Sequence, residues 1–238
     1  MKTTVRPLVL AFVLNSVAFC STLTAQPQYS QPQYYQNPYY PWYVKVDVGG
    51  EVTQDADLKQ FFGLPTGGST VQFDPGFRVG FAGGYNFTDW FALEGELGGI
   101  ENSISSITGA TSIHDAYYAN VPLLFNVRLQ LPNPSIFTPY IGGGLGVSAA
   151  ILSVDHIQIG NTSFHGSDSD AVFAYQGFAG IRCRINDQMG LSLEYHYFVA
   201  ESPSWRADVF FGAPPFGDTM QFGHTQTHTV SLAFDFRF

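Results

Sequence analysis

Six histidines and nineteen acidic residues are the chain's candidates for chemistry. His165 and Ser167 form a His-x-Ser pair. A nucleophilic serine needs a base within hydrogen-bond reach and a third group to orient that base. This pair sits in a Gly/Ser/Asp stretch, FHGSDSD, rather than at a rigid strand end. His224 and His228 are four residues apart, a helix-face spacing; on a strand they would be about 13 Å apart, too far to share a metal ion. His114, His156 and His165 lie near Asp115, Asp155, Asp168 and Asp170. Such carboxylates could gather a divalent cation, but their spacing fits no ligand pattern. The expectation is no catalytic residue, no metal and no cofactor. The remaining charges fall at alternate positions of apolar stretches, where the chemistry to look for is ion pairing.

That alternation belongs to the elements that carry the charges. A period of two marks strands. Val44, Val46 and Val48 alternate with Lys45 and Asp47, and Phe77, Val79 and Phe81 with Arg78. Phe91, Leu93 and Leu97 interleave with Glu94 and Glu96. Val121, Leu123, Phe125, Val127 and Leu129 form a row whose other face holds Asn126 and Arg128. Ile141, Leu145 and Val147 alternate with glycines, Ile181, Cys183 and Ile185 with Arg182 and Arg184. Leu191, Leu193, Tyr195 and Tyr197 alternate with Glu194 and His196, and Val230, Leu232, Phe234, Phe236 and Phe238 with Asp235 and Arg237. Eight strands result. Short turns near 86–89, 132–137 and 186–188 alternate with longer connections near 51–72, 101–115, 152–170 and 200–225. Strict alternation of short and long connections is the pattern of an up-and-down transmembrane barrel.

Composition agrees. Of 238 residues, 12% are charged and 16% aromatic, with 25 glycines, about half the usual charge of a soluble domain. Beyond the first few dozen positions no apolar run is long enough for a membrane helix. Lys2 and Arg6, the apolar stretch Leu8 to Cys20 and the small residues up to Ala25 read as a signal peptide over 1–25. Residues 26–41, rich in Gln, Pro and Tyr, read as a flexible leader, and 42–238 as the barrel. Removing 1–25 leaves eight basic against 19 acidic residues, a net −11, which disfavours nucleic acid as a partner. It also leaves Cys183 as a lone cysteine, expected as a small apolar strand residue.

Polarity then selects the face. Lys or Arg on the lipid face of a barrel costs roughly 2–4 kcal/mol at the bilayer midplane, so the charged rows must face inward. Lys45, Asp47, Arg78, Glu94, Glu96, Arg128, Arg182, Arg184, Glu194, Asp235 and Arg237 are expected to form a lumen ionic network. Its six positive and five negative groups fill a space just wide enough for side chains. The inner face of glycine, Asn, Glu and Arg makes a poor apolar cavity.

The segments NVPLLFNVRLQLPN, TPYIGGGLGV, GLSLEYHYF and the final TVSLAFDFRF resemble the small outer-membrane β-barrel domain family, which includes the opacity-like and OmpA/OmpX-like barrels. The resemblance covers roughly residues 42–238. It implies an all-β, eight-stranded antiparallel barrel in the bacterial outer membrane. It also implies that Phe234, Phe236 and Phe238 form the signal read by the outer-membrane assembly machinery. No periplasmic peptidoglycan-binding domain is expected. Some such barrels modify lipid A, and His165 with Ser167 resembles part of a lipid A 3-O-deacylase site.

The function expected is a structural or surface-interaction scaffold with four external loops. A narrow small-solute porin is the alternative, and a lipid-modifying enzyme a more distant one. Trp205, Phe210, Phe211 and Phe216 are candidate surface contacts on the last long loop, though aromatics there could equally pack over the barrel mouth or sit at headgroup level. Expected partners are outer-membrane lipid, lipopolysaccharide, the assembly machinery and an unidentified extracellular ligand of the loops.

Overall fold

The computed structural model describes residues 40–61, 64–110, 112–159, 162–206 and 219–238. The segment read as a signal peptide, and the leader up to residue 39, lie outside them. Eight long strands form the barrel: β1 (Trp42–Thr53), β5 (Gly76–Asn86), β6 (Phe91–Ile107), β7 (Ser112–Gln130), β8 (Phe137–Ile159), β9 (Thr162–Arg184), β10 (Met189–Ala200) and β13 (Thr225–Arg237). Five short strands lie between them: β2 (Ala56–Phe61), β3 (Leu64–Pro65), β4 (Thr70–Phe73), β11 (Ser204–Arg206) and β12 (Thr219–Phe222).

Each long strand pairs antiparallel with both of its ring neighbours, and β1 on β13 closes the ring. Closure matters because a bilayer offers no partner to an unpaired strand edge. Val46 sets the register on both sides of the seam, opposite Phe234 and Phe81.

The short turns are stabilised by their own side chains. Thr88 Oγ1 accepts from the amides of Trp90 (3.3 Å) and Phe91 (3.0 Å). Asn133 Oδ1 accepts from Ser135 N at 2.9 Å, and Asn186 Oδ1 from Gln188 N and Met189 N at 2.9 and 2.7 Å. These are the Asx- and Thr-type turns such residues favour.

Between the two ends runs an apolar outer belt in which Val46, Val48, Phe81, Leu97, Leu123, Phe125, Leu145 and Ile181 are exposed. From Val230 to Phe238 the outer row of β13 spans eight residue steps. At about 3.4 Å each and a tilt near 40° they cover roughly 21 Å, close to the height of a bilayer's apolar band. At the short-turn end an aromatic chain rims the belt. Trp42 meets Tyr85 (4.8 Å), Tyr85 meets Phe87 (4.8 Å), and Phe87 and Trp90 both meet Phe91 (5.7 Å).

The expectation of four long loops is corrected. β6 and β7 continue to Ile107 and from Ser112, and β8 and β9 to Ile159 and from Thr162, so two of the "loops" are hairpins that lengthen the wall. β4 pairs with the top of β6, β2 with β4, and β12 with both β2 and β11. The physical reason is an inversion of polarity. Along β6 the outward residues pass from Leu93 and Leu97 to Glu101, Ser103 and Ser105. The inward ones pass from Glu94 and Glu96 to Ile100 and Ile104. The two-residue alternation holds from Phe91 to Ser105 while its polarity reverses where the wall leaves lipid for water; a register shift opposite β4 then lets Ile107 face inward as well. The expectation of a wholly polar interior is corrected with it, because the outer part of the lumen is an apolar core.

Cys183 lies on β9, opposite Phe137 of β8 and Leu191 of β10.

Candidate functional site: a charged lumen beneath an apolar mouth

All eight barrel strands send side chains into ion pairs and hydrogen bonds inside the barrel. On β1, Lys45 Nζ lies 3.3 Å from Glu94 Oε1 on β6 and 3.2 Å from Glu194 Oε1 on β10. Tyr43 OH donates to Glu94 Oε2 at 2.9 Å, and the Arg128 guanidinium of β7 stacks 4.4 Å over the Tyr43 ring. Arg128 also lies 3.7 Å from Glu94. Glu194 accepts from Tyr140 OH of β8 and lies 2.9 Å from His196 Nε2. The His196 ring stacks on Phe178 at 5.6 Å.

A second arm runs from β5. Arg78 Nε donates to Asp47 Oδ2 at 3.1 Å, and its Nη2 donates to Glu96 Oε1. Glu96 Oε2 accepts from Asn126 Nδ2 (2.7 Å) and Gln176 Nε2 (2.6 Å), which links β5, β6, β7 and β9. Nearer the short-turn end, Arg182 Nε on β9 donates to both oxygens of Asp235 on β13, at 2.8 and 2.9 Å. Strand β10 lies between those two, and Gly190 lets the arginine pass, since a Cβ there would overlap the guanidinium.

The ionic network expected from sequence is placed as follows. Lys45, Asp47, Arg78, Glu94, Glu96, Arg128, Arg182, Glu194 and Asp235 are buried inside. Arg237 is partly exposed, 3.7 Å from Asp235. Arg184 is corrected: it is exposed, because it ends β9 at the rim, where the lumen opens to water. Sequence reasoning missed Tyr43, Tyr140 and Gln176, neutral groups on the same inward rows, while it places Asn126 on the inner face beside Arg128. It also missed Glu51, which is buried and inward-facing.

Burying charge is expensive unless each ion finds a partner and its remaining lone pairs are satisfied. Here Glu94, Glu96 and Glu194 also take Tyr, Asn, Gln or His contacts, so their pairs cross-link neighbouring and opposite strands.

Above it lies the apolar mouth, with Ile100, Ile104, Tyr118, Leu152, Phe198 and Phe222 around Trp205. Trp205 is corrected as a surface contact: it is fully buried, stands edge-on to Phe222 at 4.8 Å, and donates from Nε1 to Ala150 O at 2.9 Å. Phe210, Phe211 and Phe216 lie outside the described residues. β11, which carries Trp205, is held to β9 by two aspartates: Asp170 Oδ2 accepts from Ser204 N (2.8 Å) and Asp168 Oδ2 from Arg206 N (3.0 Å).

Phe234, Phe236 and Phe238 all lie on the outer row of the last strand, with the Phe236 and Phe238 rings stacked at 6.4 Å. His165 and Ser167 are exposed on β9. His228 also faces outward, between Tyr195 OH and Gln54 Nε2, each at 2.7 Å. His224 borders a cleft of about 80 Å³ with Asp55 and Asp57, outside the lumen. Among the described residues no three His, Cys, Asp or Glu side chains form a metal-binding group.

Residues 12–238 match the outer membrane protein β-barrel domain family. The chain belongs to that family. This places it in the bacterial outer membrane. Among solved structures it is similar to OprG of Pseudomonas aeruginosa, at 14% identity over 83% of this chain and 96% of that one, with a TM-score of 0.56. It is also similar to Neisserial surface protein A, at 12% identity over 83% and 97% with a TM-score of 0.51. The outer membrane protein AlkL, determined in lipid bilayers, matches at 13% identity over 90% and 96%, also at 0.51. At such identities the likeness shows the fold. No curated protein matches the chain.

Proposed function

We propose that this outer-membrane barrel is a closed scaffold that carries a structured extension of its wall to the cell surface, rather than a pore or an enzyme. The observation that supports this most directly is the double filling of the lumen, by ion pairs in the membrane zone and by an apolar core at the mouth. A solute would have to part both. Residues 1–25 direct export and are cleaved after Ala25. Phe234, Phe236 and Phe238 are read by the assembly machinery, and the outer belt meets lipid and lipopolysaccharide. The polar outer face of the extension, with Glu101, Ser103, Asp115 and Asp155, is the surface offered to extracellular ligands.

Epitope tags test the orientation. A tag inserted at Gly109, in the β6–β7 turn, should bind antibody on intact cells, and one at Asn133, in a short turn, only after permeabilisation. Equal or reversed labelling would contradict the reading.

A further inference from the structure

The upper edge of the apolar belt carries a polar patch on three neighbouring strands. The outward rows pass from Val52 to Gln54 on β1, from Val230 to His228 and Gln226 on β13, and from Leu193 to Tyr195 and Tyr197 on β10. These side chains hold one another. Tyr195 OH and Gln54 Nε2 each lie 2.7 Å from a ring nitrogen of His228. The Tyr197 ring lies 5.1 Å from the same imidazole, and Tyr197 OH donates to Gln226 Oε1 at 2.9 Å.

Gln54 and Gln226 also line the outward cleft of about 80 Å³, together with Asp55, Asp57, Gly223 and His224. A Cβ at Gly223 would come within 3.5 Å of Asp57 and 3.4 Å of Lys59, so its absence leaves the cleft room. The cleft lies on the continuation of the lipid-facing rows. Gln226 is four residue steps beyond Val230 on one outer row, roughly 10 Å further from the midplane at the strand tilt of a barrel. That is the headgroup level of the outer leaflet.

The cleft combines acceptors with groups that both accept and donate. Asp55 accepts from Gln72 Nε2 at 3.2 Å, and Asp57 is exposed, 4.0 Å from the Lys59 amine. Two carboxylates against one lysine leave the cleft net negative, so it repels a phosphate. The carboxylates and the Gln54 and Gln226 amides match hydroxyls, which donate and accept at once. Tyr195 and Tyr197 add rings that are apolar on the face and polar at the tip, where the wall leaves lipid. A saccharide meets both features, because its C–H face packs on an aromatic ring while its hydroxyls reach polar neighbours.

We propose that this cleft, with Tyr195 and Tyr197 beside it, binds the sugar headgroup of an outer-leaflet glycolipid whose acyl chains lie against Val52, Leu193 and Val230. The proposal rests on the outward orientation of the extension given above, and adds the class of ligand and the place on the wall where it is held.

The test follows the backbone amides of Asp57, Gly223 and Gln226 by NMR in the detergent-solubilised barrel. It is titrated with dephosphorylated glucosamine disaccharide, with inorganic phosphate and with calcium chloride. The disaccharide should shift these amides saturably and leave those of the short turns unmoved. Asp57→Asn alters an exposed side chain, and should raise the half-saturating concentration about tenfold, the worth of one charge-assisted hydrogen bond. Asp187→Asn, in a short turn, should leave it unchanged. In phosphatidylglycerol nanodiscs, inclusion of lipopolysaccharide should shift the same amides. No shift with the disaccharide would overturn the site. Stronger saturable shifts with phosphate or calcium would overturn it too, by making the cleft an ion site. Shifts with the free disaccharide but none in the lipopolysaccharide nanodiscs would overturn the membrane lipid as occupant. Equal labelling of the two epitope tags would overturn the orientation, and with it the glycolipid, while a saturable titration in detergent would still support a saccharide site.

Discussion

Arg78 shows what a single residue does in this lumen. It is fully buried, and its guanidinium is the common partner of Asp47 and Glu96. Arg78→Ala strands two carboxylates out of water, and removing one partner of a buried pair costs about 3–5 kcal/mol. Urea unfolding followed by tryptophan fluorescence should show a loss of that order. Lys59, whose 4.0 Å pair with Asp57 is mostly exposed, is the control. Lys59→Ala should change stability by less than about 0.5 kcal/mol. The inward charges were legible in sequence because each occupies the polar phase of an apolar alternation. Tyr43, Tyr140 and Gln176 share that phase, but a neutral residue there could belong to either face. Arg184 has the right phase too; only its place at the end of β9 takes it out to the rim. Glu51 was hidden because Gly49 and Gly50 interrupt the apolar row of β1 just before it.

At the scale of elements, the barrel strands within the membrane zone were legible and their continuations were not. Ile100, Ile104, Leu152 and Val154 face inward on the same strands whose inward residues are polar lower down. A search for an apolar outer face stops where that face turns to serine and aspartate. Trp205 stood out in the sequence, but its stretch has no alternation to choose between surface contact and packing over the mouth; the structure buries it, and it anchors β11 to the mouth. Trp205→Ala removes a buried indole worth about 3–5 kcal/mol of packing. Because β11 pairs only with the short β12, the loss should appear locally. Amide exchange in β11 and β12 should accelerate strongly while amides of β1 and β13 keep their protection; uniform acceleration around the ring would contradict separable opening of the mouth. The last strand carries a different prediction. Phe238 ends the outer row that Phe234 and Phe236 begin, and its removal should lower the amount of protein in the outer membrane without lowering export. Undiminished membrane yield would remove the assembly role from this row.

For the whole molecule, two opposite amphipathic arrangements share one continuous wall: apolar outside and charged inside in the membrane zone, polar outside and apolar inside above it. The first follows from the cost of charge in lipid, the second from the ordinary hydrophobic effect in water. Together they set ion pairs across the lumen in the membrane zone and an apolar core at its mouth. The measurement that bears most directly on this is single-channel conductance of the purified protein in a planar bilayer. The unmodified barrel should be silent or show small, rare openings. Arg128→Ala and Glu94→Ala, which loosen the ion-pair layer, should open more often. Large, persistent openings of the unmodified protein would contradict a closed lumen and make the barrel a pore.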